Sequence, residues 1–272
     1  MIRVFQILIV LFWLTTTALL VKHAYFPEES RFPRVERQYV ANLFFKEPRQ
    51  SDLSIVKDGI SWGRLTITPR PSITKPPLEL QNPTELREVF FSGYLHDHTK
   101  DELLGKMSWN GSLYVDKQFG AKAMRIQLRA PNVGASGYAI ITLDPPDVRY
   151  QLKQGREVFF DSADPDGNSE TANALKALAQ TQGQEIGEFP MLGNPEQLVG
   201  MLESFEPKVD CRHGRFTLVD ERYDGYLVTL NFMEEWKLRF YISELGELLK
   251  VDGIPNIEIL GDAFVPEEQL PV

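Results

Sequence analysis

Three patterns of hydrophobic and polar positions divide this chain. From Val4 to Val21 nearly every residue is apolar, with Gln6 the one strongly polar side chain. At ~1.5 Å per residue such a run spans roughly 27 Å as a helix, enough for the hydrocarbon core of a bilayer. From Gly59 the pattern turns to period two: Trp62, Arg64, Thr66 and Thr68 fall on one side of an extended chain, Gly63, Leu65 and Ile67 on the other. Further β-like runs follow at about 86–96, 106–116, 121–130, 136–143, 147–152 and 156–161, separated by turn chemistry such as Phe119-Gly120, Pro131-Asn132 and Lys153-Gln154-Gly155. This spacing predicts an antiparallel meander. Strands resume at about 214–220, 224–233, 235–243 and 247–251, with Asp224-Gly225 and Leu245-Gly246-Glu247 read as hairpin turns.

The third pattern is helical. Ala172, Leu175, Leu178 and Ala179 form an apolar stripe over about 169–182, capped by Asn168 or Ser169. Leu198, Met201, Leu202 and Phe205 form another over about 194–205, with Asn194 as cap and Pro195 at the first helical position. The expected fold class is therefore α+β, mainly antiparallel β. An N-terminal transmembrane helix leads into a curved antiparallel sheet covered on one face by two short helices. The expected organisation is an anchor at 1–21, a stalk at 22–58 and a sheet domain at 59–262 with a helical insertion at about 169–205, followed by a loose tail at 263–272. Within the stalk, Tyr39 to Phe45 reads as a short docking helix. Pro69 to Pro83 holds five prolines and is expected to cross the surface outside the sheet, because proline lacks a ladder donor. The stretch from Pro255 reads as an irregular end.

The apolar run also resembles a signal peptide, with Arg3 in the positive n-region. A cut after Ala24 meets Lys22 where a small residue belongs, so an uncleaved anchor is the expectation, with membrane lipid as the partner of residues 4–21. No cysteine follows the run, which excludes lipoprotein processing. Lys22, Arg31, Arg34 and Arg37 pull toward a cytoplasmic domain, but long domains translocate largely regardless of flanking charge. The C-terminal domain is therefore expected outside the cytoplasm.

Composition adds mainly exclusions. A hydrophobic fraction of 43% and a charged fraction of 25% are those of a globular protein. Residues 1–50 hold seven Lys and Arg against four Asp and Glu, which leaves 22 against 34 in the remainder. Such an acidic body repels polyphosphate, so nucleic acid is not an expected partner. Cys211 is the single cysteine, which removes an intrachain disulfide and a cysteine-rich zinc site.

His96-Asp97-His98 with Asp101 is the one cluster of metal-ligand types; alternation on an extended segment places His96 and His98 on one face. A polar hairpin tip accounts for the same residues. Asp161, Asp164, Asp166, Gly167 and Asn168 evoke a calcium loop, yet with Gly167 at the sixth position the first is Ser162 and the twelfth Asn173, so both anchoring carboxylates are missing. Cys211 and His213 stand two apart beside Arg212 with no evident orienting third group. Ser54-x-x-Lys57 and Ser72-x-x-Lys75 lack a buried helical setting and partner motifs. Phosphate-loop, dinucleotide, serine-hydrolase and zinc-protease signatures are absent. No catalytic residue and no cofactor are expected. The sequence points to a non-enzymatic module for binding or scaffolding, with an apolar, lipid-like ligand or a protein as partner; the alternative is a membrane-tethered hydrolase using carboxylates or His96 and His98. An apolar cavity on the sheet favours ligand binding, a face packed solid favours scaffolding, and a cleft of convergent, perturbed carboxyls or imidazoles favours the hydrolase.

Overall fold

In a computed structural model of the chain, the described residues are 32–71, 86–96, 106–143, 145–164, 208–219, 221–232 and 236–265. They carry one helix, α1 (Arg37–Phe44), and thirteen strands. The strands are β1 (Ser51–Lys57), β2 (Ile60–Arg70), β3 (Arg87–Leu95), β4 (Met107–Val115), β5 (Ala121–Ala130), β6 (Ala135–Leu143), β7 (Pro146–Gln154) and β8 (Glu157–Asp161). The second set is β9 (Lys208–Leu218), β10 (Glu221–Phe232), β11 (Trp236–Ser243), β12 (Leu248–Ile254) and β13 (Ile257–Gly261). All belong to one antiparallel sheet in the order β8 to β1, then β13 to β9. Two meanders thus run outward from a central seam, where Leu53 pairs with Gly261 and Ile55 with Ile259.

A twisted sheet this wide curls. Register shifts at Ile55/Val56, Tyr114/Val115, Leu152/Lys153, Tyr241/Ile242 and Val251/Ile254 add local bends. The inner face is apolar from limb to limb. Ile67, Phe91, Gly111, Ile126, Ala139 and Tyr150 form one cross-strand row, and Val89, Leu113, Met124, Ile141 and Val148 form the next. On the other limb Val228 stands between Cys211 and Phe240, and Tyr226 between His213 and Ile242. Side chains of both limbs join one core cluster, including Leu53, Ile67, Val115, Val228, Ile242 and Val251. At about 1.5–3 kcal/mol for each fully buried side chain, this shared interior is the main force that bends the sheet onto itself.

The outer face is polar over β2 to β7, with Arg64, Thr66, Arg125, Gln127, Arg149 and Gln151 among its residues. Glu88 is nevertheless buried there: Ser112 Oγ donates to its Oε1 at 2.5 Å and Arg70 Nη1 to its Oε2 at 3.3 Å. Outside the other limb, Phe216, Leu218, Leu227 and Tyr241 make a second apolar cluster with Phe32 and Phe264 packed against it.

The fold corrects the α+β expectation. Among the described residues, cover for the first limb comes from the second limb of the same sheet and the helix packed on the sheet is α1; the two helices expected at 169–182 and 194–205 lie outside the described residues. The expected transmembrane helix also lies outside them; among the described residues no helix is long and apolar enough to cross a membrane. Strand β1 lies within the expected stalk, and β13 within the expected irregular end. Pro69 belongs to β2, opposite Val89, but β1 has already ended at Ser51, opposite Ile67. The proline thus sits where β2 has one neighbour only, which its missing donor permits. Asp224-Gly225 is strand interior rather than a turn: Gly225 pairs with Gly214 and Ser243, and a Cβ on it would stand 2.3 Å from the Ile242 carbonyl oxygen.

Candidate functional site

Helix α1 closes one end of the trough between the limbs. An eight-residue helix is marginal alone and is held by what it buries: Val40, Ala41 and Phe44 face the core, and Phe45 follows at its end. The rings of Phe44 and Phe45 meet edge on at 5.1 Å, and each lies 6.1 Å from Phe119 in the turn between β4 and β5. Before the helix, Val35 N–H donates to the Cys211 carbonyl and His213 N–H to the Pro33 carbonyl, which ties the incoming chain to the edge of β9.

Beside this end lies a cavity of about 110 Å³. Ile67, Val89, Leu113 and Val115 line it from β2 to β4, Val228, Leu230, Phe240, Ile242 and Leu248 from β10 to β12, and Phe44 and Phe119 from the closed end. Every lining side chain among the described residues is apolar. Away from α1 the trough stays open: Phe91, Trp109, Met124, Ile126 and Ile141 remain half-buried and Leu128 is exposed. Two glycines shape its floor. A Cβ on Gly111 would lie 2.6 Å from the Phe91 ring and one on Gly93 2.5 Å from the Trp109 ring, so both rings can lie down against bare backbone.

Among the described residues, the titratable groups near this site do not converge as a catalytic set would. Cys211 is buried on the inner face of β9, and burial pushes its thiol up to about 11, so the nucleophilic thiolate is suppressed. His213 stacks on Tyr226 at 4.9 Å and reaches Glu244 at 3.4 Å. Tyr226 is raised to about 12 by burial first and by its hydrogen bond to Tyr39 second.

Of the expected metal cluster, His96 alone is described; His98 and Asp101 lie outside. The ring of His96 packs at 4.8 Å on Tyr94, and its backbone N–H donates to the Trp62 carbonyl. Among the described residues no group of three or more His, Cys, Asp and Glu converges as metal ligands would. Asp161 accepts from Ala163 N–H and from Gln151, in that order of effect, and both hold its carboxyl below the ordinary range. The rest of the calcium-like loop lies outside the described residues, apart from Ser162 and Asp164. Ser54 donates to Asp262 at 2.7 Å while Lys57 lies over the Trp62 ring, so the Ser-x-x-Lys pair does not meet. The trough lining and Arg87 escaped the sequence reading, although the alternation of Arg87, Val89 and Phe91 with Glu88 and Phe90 was there to be read.

Comparison with protein-family models, with curated proteins and with solved structures returns no match.

Proposed function

We propose that the chain is a non-enzymatic binding protein whose trough takes a slender, lipid-like ligand. The observation that carries this reading is the cavity between the limbs, apolar in every lining residue and continuous with a half-exposed apolar floor. Burial of apolar ligand surface is favourable at roughly 25 cal/mol per Å², and a lining without polar groups has no competing preference for water. At about 110 Å³ the closed part is well below the ~300 Å³ of a pocket for a drug-sized molecule. It fits one alkyl chain better than a ring system, with the rest of the chain lying along the open floor.

The test is photolabelling of the full-length chain with a long-chain fatty alcohol bearing a diazirine, followed by mass spectrometric mapping. Labels are expected on 107–119 and 228–248. Leu113→Trp, which fills the cavity from its β4 side, is expected to reduce labelling at least tenfold. Labels scattered over the outer face, or unchanged labelling of Leu113→Trp, refute the reading. The apolar run at 4–21 supports an address for this activity outside the cytoplasm; a cytoplasmic signal from a compartment-sensitive reporter fused after Val272 refutes that address.

A further inference from the structure

Arg87 opens β3 on the inner face, two residues before Val89 and opposite Val115, both of which line the cavity. Its guanidinium lies 5.3 Å from the centre of the Phe45 ring, and Nη2 donates to Asn42 Oδ1 of α1 at 2.5 Å. Nη1 is buried and, among the described residues, has no hydrogen-bond partner. Several other arginines of the sheet have a carboxylate: Arg64 pairs with Asp262, Arg70 with Glu88, Arg215 with Asp224 and Arg239 with Asp252. Among the described residues Arg87 has none. Burial, with no carboxylate to offset it, lowers its pKa.

A buried donor left unmade is costly, and more so when charged, so such a group calls for a partner. Here the orphan N–H belongs to a cation whose cross-strand partner Val115 and strand neighbour Val89 line the apolar cavity. Its complement is an anion carried on an apolar body. One guanidinium matches one negative charge, and its planar fork matches the two oxygens of a carboxylate. Building on the apolar-ligand reading above, we propose that the trough binds a long-chain fatty acid, with its carboxylate on Arg87 Nη1 and its chain running past Val115, Leu113 and Val89. Asn42 fixes the plane of the guanidinium through Nη2, and the Phe45 ring supports its face.

Competition against the uncharged diazirine alcohol on the full-length chain tests this, with palmitate and hexadecanol as competitors. On the native chain palmitate is expected to displace the probe at a concentration at least about tenfold lower, which is ~1.4 kcal/mol of head-group preference. Arg87→Met is expected to abolish that preference and leave hexadecanol unchanged, whereas Arg87→Lys retains part of it. Since Arg87→Met also loses the contact with Phe45, Asn42→Leu provides a second reading: it frees the guanidinium alone and should shrink the preference several-fold. Equal potency of the two competitors on the native chain, or a preference that survives Arg87→Met, overturns the fatty-acid assignment while trough labelling by the alcohol keeps the apolar reading. No labelling of the native trough removes the apolar reading and this inference with it.

Discussion

Phe45→Ala asks whether the segment ahead of the sheet belongs to its core. Phe45 is 2% exposed and packs on Phe44, Phe119 and the Arg87 guanidinium. Truncating a buried phenylalanine costs about 3–5 kcal/mol through lost transfer energy and the cavity left behind. The edge-on contact with Phe44 and the cation over the ring, at ~0.5–1 kcal/mol each, put the expectation in the upper half of that range. Against a typical total of about 5–15 kcal/mol this is a large share, equivalent to a fall in Tm of roughly 8–20 °C for a domain of this size. Gln38→Ala, on the exposed side of the same helix, should stay within ~0.5 kcal/mol. Urea titration followed by near-ultraviolet circular dichroism, with m compared between variants, gives both numbers. A cost below about 1 kcal/mol for Phe45→Ala would mean that α1 rests on the trough without closing it, and the closed end of the site would be refuted.

Glu88→Ala strands the buried Ser112 hydroxyl and deprives the partly exposed Arg70 of its carboxylate; a loss of about 1.5–3 kcal/mol in chemical denaturation is expected, and a neutral result contradicts the role of the buried Glu88 carboxylate. Gly111→Ala forces its new Cβ against the Phe91 ring and the Arg125 carbonyl oxygen, 2.4 Å away, and should destabilise the sheet by ~1–3 kcal/mol while weakening probe labelling. Cys211 should resist iodoacetamide at pH 8 until the chain is unfolded; fast modification of the native protein disproves its burial. With the folded thiol at about 11 against 9.0 for the free group, its stabilising effect is complete below pH 9 and disappears as pH rises through 11, so the Tm of the native chain should fall across that window more than that of Cys211→Ala.

The strands from 86 to 161 were legible to within about two residues because each alternates and each ends in turn chemistry. Where the reading failed, polar side chains were serving the interior. Ser51 and Ser54 give β1 a loop-like look, yet Ser51 Oγ accepts from Leu248 N–H and Ser54 is fully buried against Asp262. β13 was hidden by Pro255 and by the turn at Asn256, where φ is +58°. Asp224-Gly225 carried a strong local turn signal that lost to tertiary packing, since Gly225 is needed where the Ile242 carbonyl comes close. The cavity could not be read from sequence at all: Val89 and Phe240 belong to strands separated by more than a hundred residues, and which limb faces which is a property of the curl. Arg87 carries no signal of its own in the sequence, and its buried Nη1 emerges only once α1 is in place.

The central seam also sets a timetable for synthesis. Ile55 leaves the ribosome 204 residues before Ile259, with which it pairs. At about 5–20 residues per second that is a delay of roughly 10–40 s. Throughout it one flank of β1 is a bare template, next to the growing first meander and open to any other extended chain. Contacts this distant make folding slow. That flank of newly made protein stays open to strand addition until the last hairpin arrives, and a chain cut short before residue 257 would leave it without β13.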